Sequence, residues 1–157
     1  MSGENKFEER ITIGDRSVVL HRSASPIASS AVVGGEDMFK MLNVFSDALR
    51  PENYDKGDGA PMRLFTGDSV RVDLSKRSVE DMAFWHRSAD YNEIILCLKG
   101  ALRWETELGE TILHEGEMIW IPRGIAHRSA LCDESAEENV LLELKIREDL
   151  TMVVENE

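Results

Sequence analysis

An all-β fold, a sandwich or small barrel, is what this sequence predicts, and two observations carry it. From residue 81 onward, short runs rich in Ile, Leu, Val and aromatic residues follow one another at close intervals. Turns marked by Lys99-Gly100, Leu108-Gly109, Glu115-Gly116 and Arg123-Gly124 divide most of them.

Taken in order, residues 1–10 are charged and expected to be mobile. Residues 11–13 and 17–21 look like short strands around a Gly14-Asp15 turn, with His21 at the end of the second as a surface or capped residue. The run 36–45 mixes helical and strand spacings, so periodicity does not decide its form. Residues 50–61 are rich in turn formers and charge and read as a loop, favoured as a flap of the same domain rather than a linker. Beyond it, 62–65 and 69–74 alternate as half-buried strands do. Further strands are expected at 81–86, 93–98, 101–106, 111–113, 118–121, 126–131 and 140–146. The acidic run 133–138 reads as a solvated hairpin loop and the tail after Glu148 as loosely packed.

A chain of 157 residues suits one domain: an N-terminal extension and flap at 1–60, a barrel core at 61–147 and a tail at 148–157. Thirty acidic residues against 18 basic ones give a formal charge of −12, which repels a phosphate backbone and argues against a nucleic-acid partner. No apolar run approaches the ~20 residues a bilayer requires, and the polar start lacks a secretory h-region. A cytoplasmic protein without a membrane partner is therefore expected. Cys97 and Cys132 are too few for a disulfide framework and read as reduced thiols.

The chemistry concentrates between His86 and His127. Side chains two apart on a strand share a face, which groups His86 with Ser88 and Glu93 with Ile95 and Cys97. Two imidazoles and one carboxylate suit a divalent first-row metal and leave positions open opposite them. His86, Glu93 and His127 could form that set, with the Pro122/Gly124 turn fixing how His127 enters. His114, beside Glu115-Gly116, is expected to be exposed. Trp85, Trp104 and Trp120 read as core or oligomer-interface residues and Cys97 as a small core hydrophobe.

These residues resemble the two motifs of the cupin superfamily. The second motif is Gly, five residues, Pro, one residue, Gly, two residues, His; Gly116, Pro122, Gly124 and His127 match every spacing. The first has His-x-His, three or four residues, Glu, six residues, Gly, and His86, Glu93 and Gly100 fit. Ser88 stands at the second histidine position, the usual opening glycine is missing, and Leu131 stands where Asn often closes the second motif. More narrowly, His86-Arg87-Ser88, Glu93, Glu105-Thr106-Glu107-Leu108-Gly109 and Ile121-Pro122-Arg123-Gly124 look like the homogentisate dioxygenase family.

The resemblance implies a cupin-type jelly-roll barrel holding a three-ligand divalent metal, Fe(II), on His86, Glu93 and His127. It implies a dioxygenase that takes O2 and cleaves a small hydroxylated aromatic acid. A homodimer is also implied, since cupins of this size commonly share an N-terminal strand. Arg63, Arg71, Arg103 and Arg123 are candidate clamps for the substrate carboxylate, because a planar guanidinium can hold it through two parallel bonds. Two other readings stay open: a metal-dependent isomerase, decarboxylase or lyase that needs no oxygen, and a non-catalytic small-molecule-binding cupin.

Overall fold

Alternation of apolar and polar residues favours a pleated sheet with two unlike faces, and in the computed structural model, which describes residues 7–22, 29–32, 39–78 and 81–155, the regular elements are strands apart from one short 3-10 turn. The chain forms two compact units, Met1–Asn43 and Val44–Glu157. In the first, β1 (Phe7–Ile13), β2 (Arg16–Arg22) and β3 (Ser29–Val32) pair antiparallel in the order β1-β2-β3. The hairpin between β1 and β2 turns at Gly14, whose φ of 62° suits a residue without a Cβ. β3 was not foreseen, because four residues are too few to display a period. The reading of His21 concerns a side chain outside the described residues, as does the 36–38 part of the ambiguous run. Residues 39–45 adopt neither helix nor strand.

The second unit is a two-sheet jelly roll. One sheet runs β4-β5-β11-β6-β9, from β4 (Met62–Thr66), β5 (Val70–Arg77), β11 (Asn139–Ile146), β6 (Asn92–Lys99) and β9 (Met118–Ile121). The other runs β10-β7-β8, from β10 (His127–Ala130), β7 (Ala101–Thr106) and β8 (Gly109–His114). Every paired neighbour is antiparallel. Ile95, Cys97, Leu102, Trp104, Leu113, Ile121 and Leu141 pack into one core drawn from both sheets. Among the described residues no helix is long and apolar enough to cross a membrane.

Three expectations need correction. Residues 7–10, expected to be mobile with the rest of 1–10, form the first part of β1 and pair with β2. Residues 81–86 do not form a strand: Met82 and His86 hydrogen-bond across to Ser129 and His127, and only His86 makes a β-bridge. The Asp81 carboxylate accepts the Leu131 amide (2.6 Å), so a side chain takes a position that a continued ladder would fill with backbone. The 50–61 segment is also more structured than a plain loop. It contains a 3-10 turn, Glu52–Tyr54, whose buried Asn53 donates to Ser75 Oγ (2.9 Å) and accepts from the Lys76 amide (3.2 Å). Gly59 lies so close to this turn that a Cβ would come within 2.5 Å of the Glu52 backbone. The segment thereby covers the second half of β5, which is buried on both faces from Leu74 to Arg77. Even the Lys76 ammonium is satisfied beneath it, donating to the Ser46 carbonyl (3.0 Å).

Asn139, fully buried at the start of β11, ties three segments together. Its Oδ1 accepts from the amides of Ala101 (3.1 Å) and Ala136 (2.9 Å), and its Nδ2 donates to the carbonyls of Arg77 and Ala136 (both 3.0 Å). Gly100, at φ 80°, has no room for a Cβ against this side chain, because one would lie 2.1 Å from Asn139 Oδ1. Elsewhere His114 joins two turns, its Nδ1 on Glu117 (3.0 Å) and its Nε2 on Glu134 (2.8 Å). The bond to Glu117, followed by that to Glu134, raises the His114 pKa above the ordinary histidine value.

Asn139→Ala strands several buried backbone groups at once and is expected to lower stability by about 3 kcal/mol, read by urea denaturation. A loss under about 1 kcal/mol would show that the surrounding groups find other partners. For His114 the folded pKa is raised, so its stabilisation is present in full below the unfolded value near 6.5 and disappears as pH climbs through the folded pKa. Wild type and His114→Gln should therefore differ in urea midpoint at acidic pH and converge at alkaline pH; a constant difference would rule the clasp out.

Candidate metal centre

The two motif halves meet through backbone first. The His86 amide donates to the His127 carbonyl (3.1 Å) and the His127 amide to the His86 carbonyl (2.8 Å). One turn earlier the Gly124 amide donates to the Ser88 carbonyl (2.7 Å), and Arg87 reaches over to the Gly124 carbonyl (2.8 Å) and Glu107 (3.3 Å). Gly124 sits at φ 80°, the left-handed conformation that lets the Pro122 turn close through the Ile125 amide. Sequence spacing is thus converted into a fixed approach of the two histidines, their ring centroids 4.3 Å apart.

Glu93 enters from β6, and its Oε2 lies 3.0 Å from His127 Nε2. Both side chains are almost fully buried, at 5% and 2% exposed. His127 Nδ1 is held by the Ile125 carbonyl (2.9 Å), which fixes a proton there and turns Nε2 toward Glu93. Burial pushes the Glu93 carboxyl up, but the hydrogen bond and charge of His127, with Lys145 beside it, outweigh that and leave its pKa below normal. His127 shows the reverse balance: burial opposes its charge, and the bond to Glu93 raises its pKa all the same. Metal-free, the two form an ion pair around one proton. Two cis ligands of one ion at ~2.1 Å stand about 3.0 Å apart, so the same spacing also suits a shared metal.

His86 differs from both. Burial, followed by the neighbouring His127 charge, lowers its pKa to about 4, and its buried Nδ1 has no hydrogen-bond partner. A neutral imidazole with a buried, unpartnered nitrogen is the state a metal ligand requires. The donor set thus fits a divalent ion in chemistry. Among the described residues, however, no three histidine, cysteine, aspartate or glutamate side chains are already drawn into a formed metal cluster. Ser88 is not part of the group: its Oγ accepts the Tyr91 amide (3.3 Å) and shapes the turn into β6.

His86, Glu93 and His127 line one cavity of about 60 Å³, together with Met82, Ile95, Trp104, Ser129 and Leu141. Asn53, Gly59 and Pro61 of the 50–61 segment form one of its walls. A larger groove of about 220 Å³ lies elsewhere, along Leu108, Thr111, Ile119 and Trp120, but it does not gather the histidines or their carboxylate. Chemistry rather than size identifies the site.

The four arginines proposed as clamps do not line this cavity. Arg63 is paired with Asp73 (3.0 Å), Arg71 lies over the Tyr91 ring (4.6 Å), Arg103 is near Glu105 (3.7 Å), and Arg123 holds Asp149 and the Arg147 carbonyl. The cationic residues that do line it are Arg77 and Lys145. Lys145 Nζ stands 3.3 Å from Asp73, 3.5 Å from Glu143 and 3.6 Å from Glu93. Glu143 Oε1 accepts from Ser75 Oγ, which in turn accepts from Asn53. Desolvation raises the Glu143 pKa.

Sequence reading passed over Glu143 and Lys145 because β11 carries its charges on the inner face and Leu142, Leu144 and Ile146 on the outer one. The pairing of Lys145 opposite Glu93 would have exposed them, but it is a register, not a spacing. Trp104 belongs to both core and cavity wall, whereas Trp85 and Trp120 are 49% and 39% exposed. Cys97 is fully buried in the core.

Known structures share this architecture. A candidate mannose-6-phosphate isomerase from Ralstonia eutropha is 19% identical over 69% of this chain and 99% of its own, with a TM-score of 0.56. Protein NMB1881 from Neisseria meningitidis is 17% identical over 68% of this chain and 99% of its own, with a TM-score of 0.52. A cupin-2 domain-containing protein from Shewanella frigidimarina is 25% identical over 56% of this chain and 80% of its own, with a TM-score of 0.46. The first two support the fold. The family model for the homogentisate 1,2-dioxygenase N-terminal region matches residues 56–147, which span β4 to β11 and hold both motif halves. The chain therefore belongs to the homogentisate 1,2-dioxygenase N-terminal family, within the cupin superfamily.

Proposed function

We propose that this chain is a metal-dependent cupin whose divalent ion is held by His86, Glu93 and His127, and that it serves as an Fe(II) dioxygenase for a small hydroxylated aromatic acid. The 3.0 Å approach of His127 Nε2 to Glu93 Oε2, beside the unpartnered Nδ1 of His86, carries the metal reading. The family match supports the finer one. Iron(II), when bound, supplies a Lewis acid for adjacent oxygens of the substrate and a path for electrons to O2.

The chain's own residues supply the rest. The Ile125 carbonyl keeps the His127 proton on Nδ1, while Met82, Ile95, Trp104 and Leu141 form an apolar part of the wall. A cavity of about 60 Å³ is well below the ~300–1,000 Å³ of ordinary small-molecule pockets and is too small for an aromatic acid. The 50–61 wall therefore has to shift for the substrate to enter, which makes it the flap of this site. The small cavity also favours a second reading, a metal-dependent cupin acting on a smaller ligand without oxygen.

We also propose a homodimer. On the outer face of the five-stranded sheet, Leu142 pairs with Leu96 and Leu144 with Ile94, flanked by exposed Met118 and Trp120. Sedimentation should give twice the mass of 17.7 kDa, and a concentration-independent monomer would remove this proposal.

Protein purified without oxygen is expected to hold about one iron per chain and to consume O2 with a hydroxylated aromatic acid from a panel of dihydroxy- and amino-hydroxybenzoates and phenylacetates. His127→Ala and Glu93→Ala should weaken metal binding at least about 100-fold, while Ser88→Ala keeps it. Metal content measured by mass spectrometry checks this. Iron without uptake across the panel would move the assignment to the oxygen-independent reading, and a Ser88→Ala protein without metal would refute the three-ligand set.

A further inference from the structure

Lysine at 145 is an unusual presence inside a barrel. On the central strand β11 it stands directly opposite Glu93 of β6, and only 18% of its side chain is exposed. Its ammonium has three donors and three carboxylate neighbours: Asp73 Oδ2 at 3.3 Å, Glu143 Oε2 at 3.5 Å and Glu93 Oε1 at 3.6 Å. Two of these carboxylates are fixed independently. Asp73 is also held by Arg63 (3.0 Å), and Glu143 by Ser75, which Asn53 holds in place. The ammonium is therefore anchored on Asp73 and Glu143 and presents a fixed positive charge to Glu93.

The two oxygens of Glu93 then face different partners. Oε1 is turned to Lys145 and Oε2 to His127. We propose that Lys145 is a positioning residue that restricts Glu93 to a single ligating oxygen, Oε2, so that the carboxylate cannot close on an ion through both oxygens and take up an open position. This rests on the metal reading above. Such an open position is what a 2-His-1-carboxylate centre needs for a substrate or co-substrate. Coulomb attraction between groups this buried is strong enough to do this without a direct hydrogen bond, because solvent screens it little.

The test uses Co(II) as the probe, together with the metal-free protein. Lys145→Met removes the charge and keeps the bulk; Glu143→Gln with Lys145→Met removes one negative charge along with it, in case the single variant does not fold. In the Co(II) protein the freed Glu93 should chelate through both oxygens, and the visible absorption should shift to the weaker bands of a higher coordination number. In the metal-free protein the solvent-protected Nε2–H signal of His127, seen by imidazole NMR, should be lost as Glu93 turns. Lys145→Arg, which restores a cation, should recover both signatures. Wild-type spectrum and wild-type His127 signal in a folded Lys145→Met or double variant would overturn the proposal. If wild type takes up no Co(II), the metal reading falls, and the His127 signal still decides whether Lys145 positions Glu93.

Discussion

Charge placed inside a β-barrel must be matched where it lies, because removing an unpaired ion from water carries a penalty of several kcal/mol that packing does not offset. The interior of this jelly roll holds Asp73, Glu93, Glu143, Lys145 and the His127 side chain, all linked by ion pairs around the same cavity wall. Arg63 closes the array at one end and the Ser75–Asn53 chain at another. Much of the fold around the cavity follows from that requirement. β11 has to be the central strand so that its two charged residues reach partners on both β5 and β6, and the 50–61 segment has to fold back to supply Asn53.

The second constraint is the backbone junction between the two motif halves. Reciprocal hydrogen bonds of His86 and His127, reinforced by Gly124 on Ser88 and by Arg87 on Gly124, fix their separation before any ligand is considered. Ser88 has a task of its own beside this junction. Its hydroxyl accepts the Tyr91 amide in the turn that feeds β6. The Glu93–His127 pair, satisfied by its own hydrogen bond, is also spaced as two ligands of one ion would be.

Family membership and cavity size bear on different parts of the chemistry. The match to the homogentisate 1,2-dioxygenase N-terminal family covers the segment that carries the three candidate ligands. The cavity itself is small, and the 50–61 segment, anchored through Asn53, forms one of its walls.

By itself the sequence determined the strands from β4 to β11, the glycine turns between them and the two motif halves, because alternation, turn chemistry and motif spacing are local properties of the chain. It pointed to His86, Glu93 and His127, and the fold brings all three to one cavity. Tertiary structure alone decided the rest. The strand expected at 81–86 gave way to a single bridge, since backbone pairing there depends on β10 and on Asp81. The four arginines found partners away from the cavity, and Lys145 and Glu143 entered it against the hydrophobic pattern of β11. Which face of a strand turns inward, and which residue meets which across a sheet, depends on register between segments far apart in the chain, and no single segment encodes it.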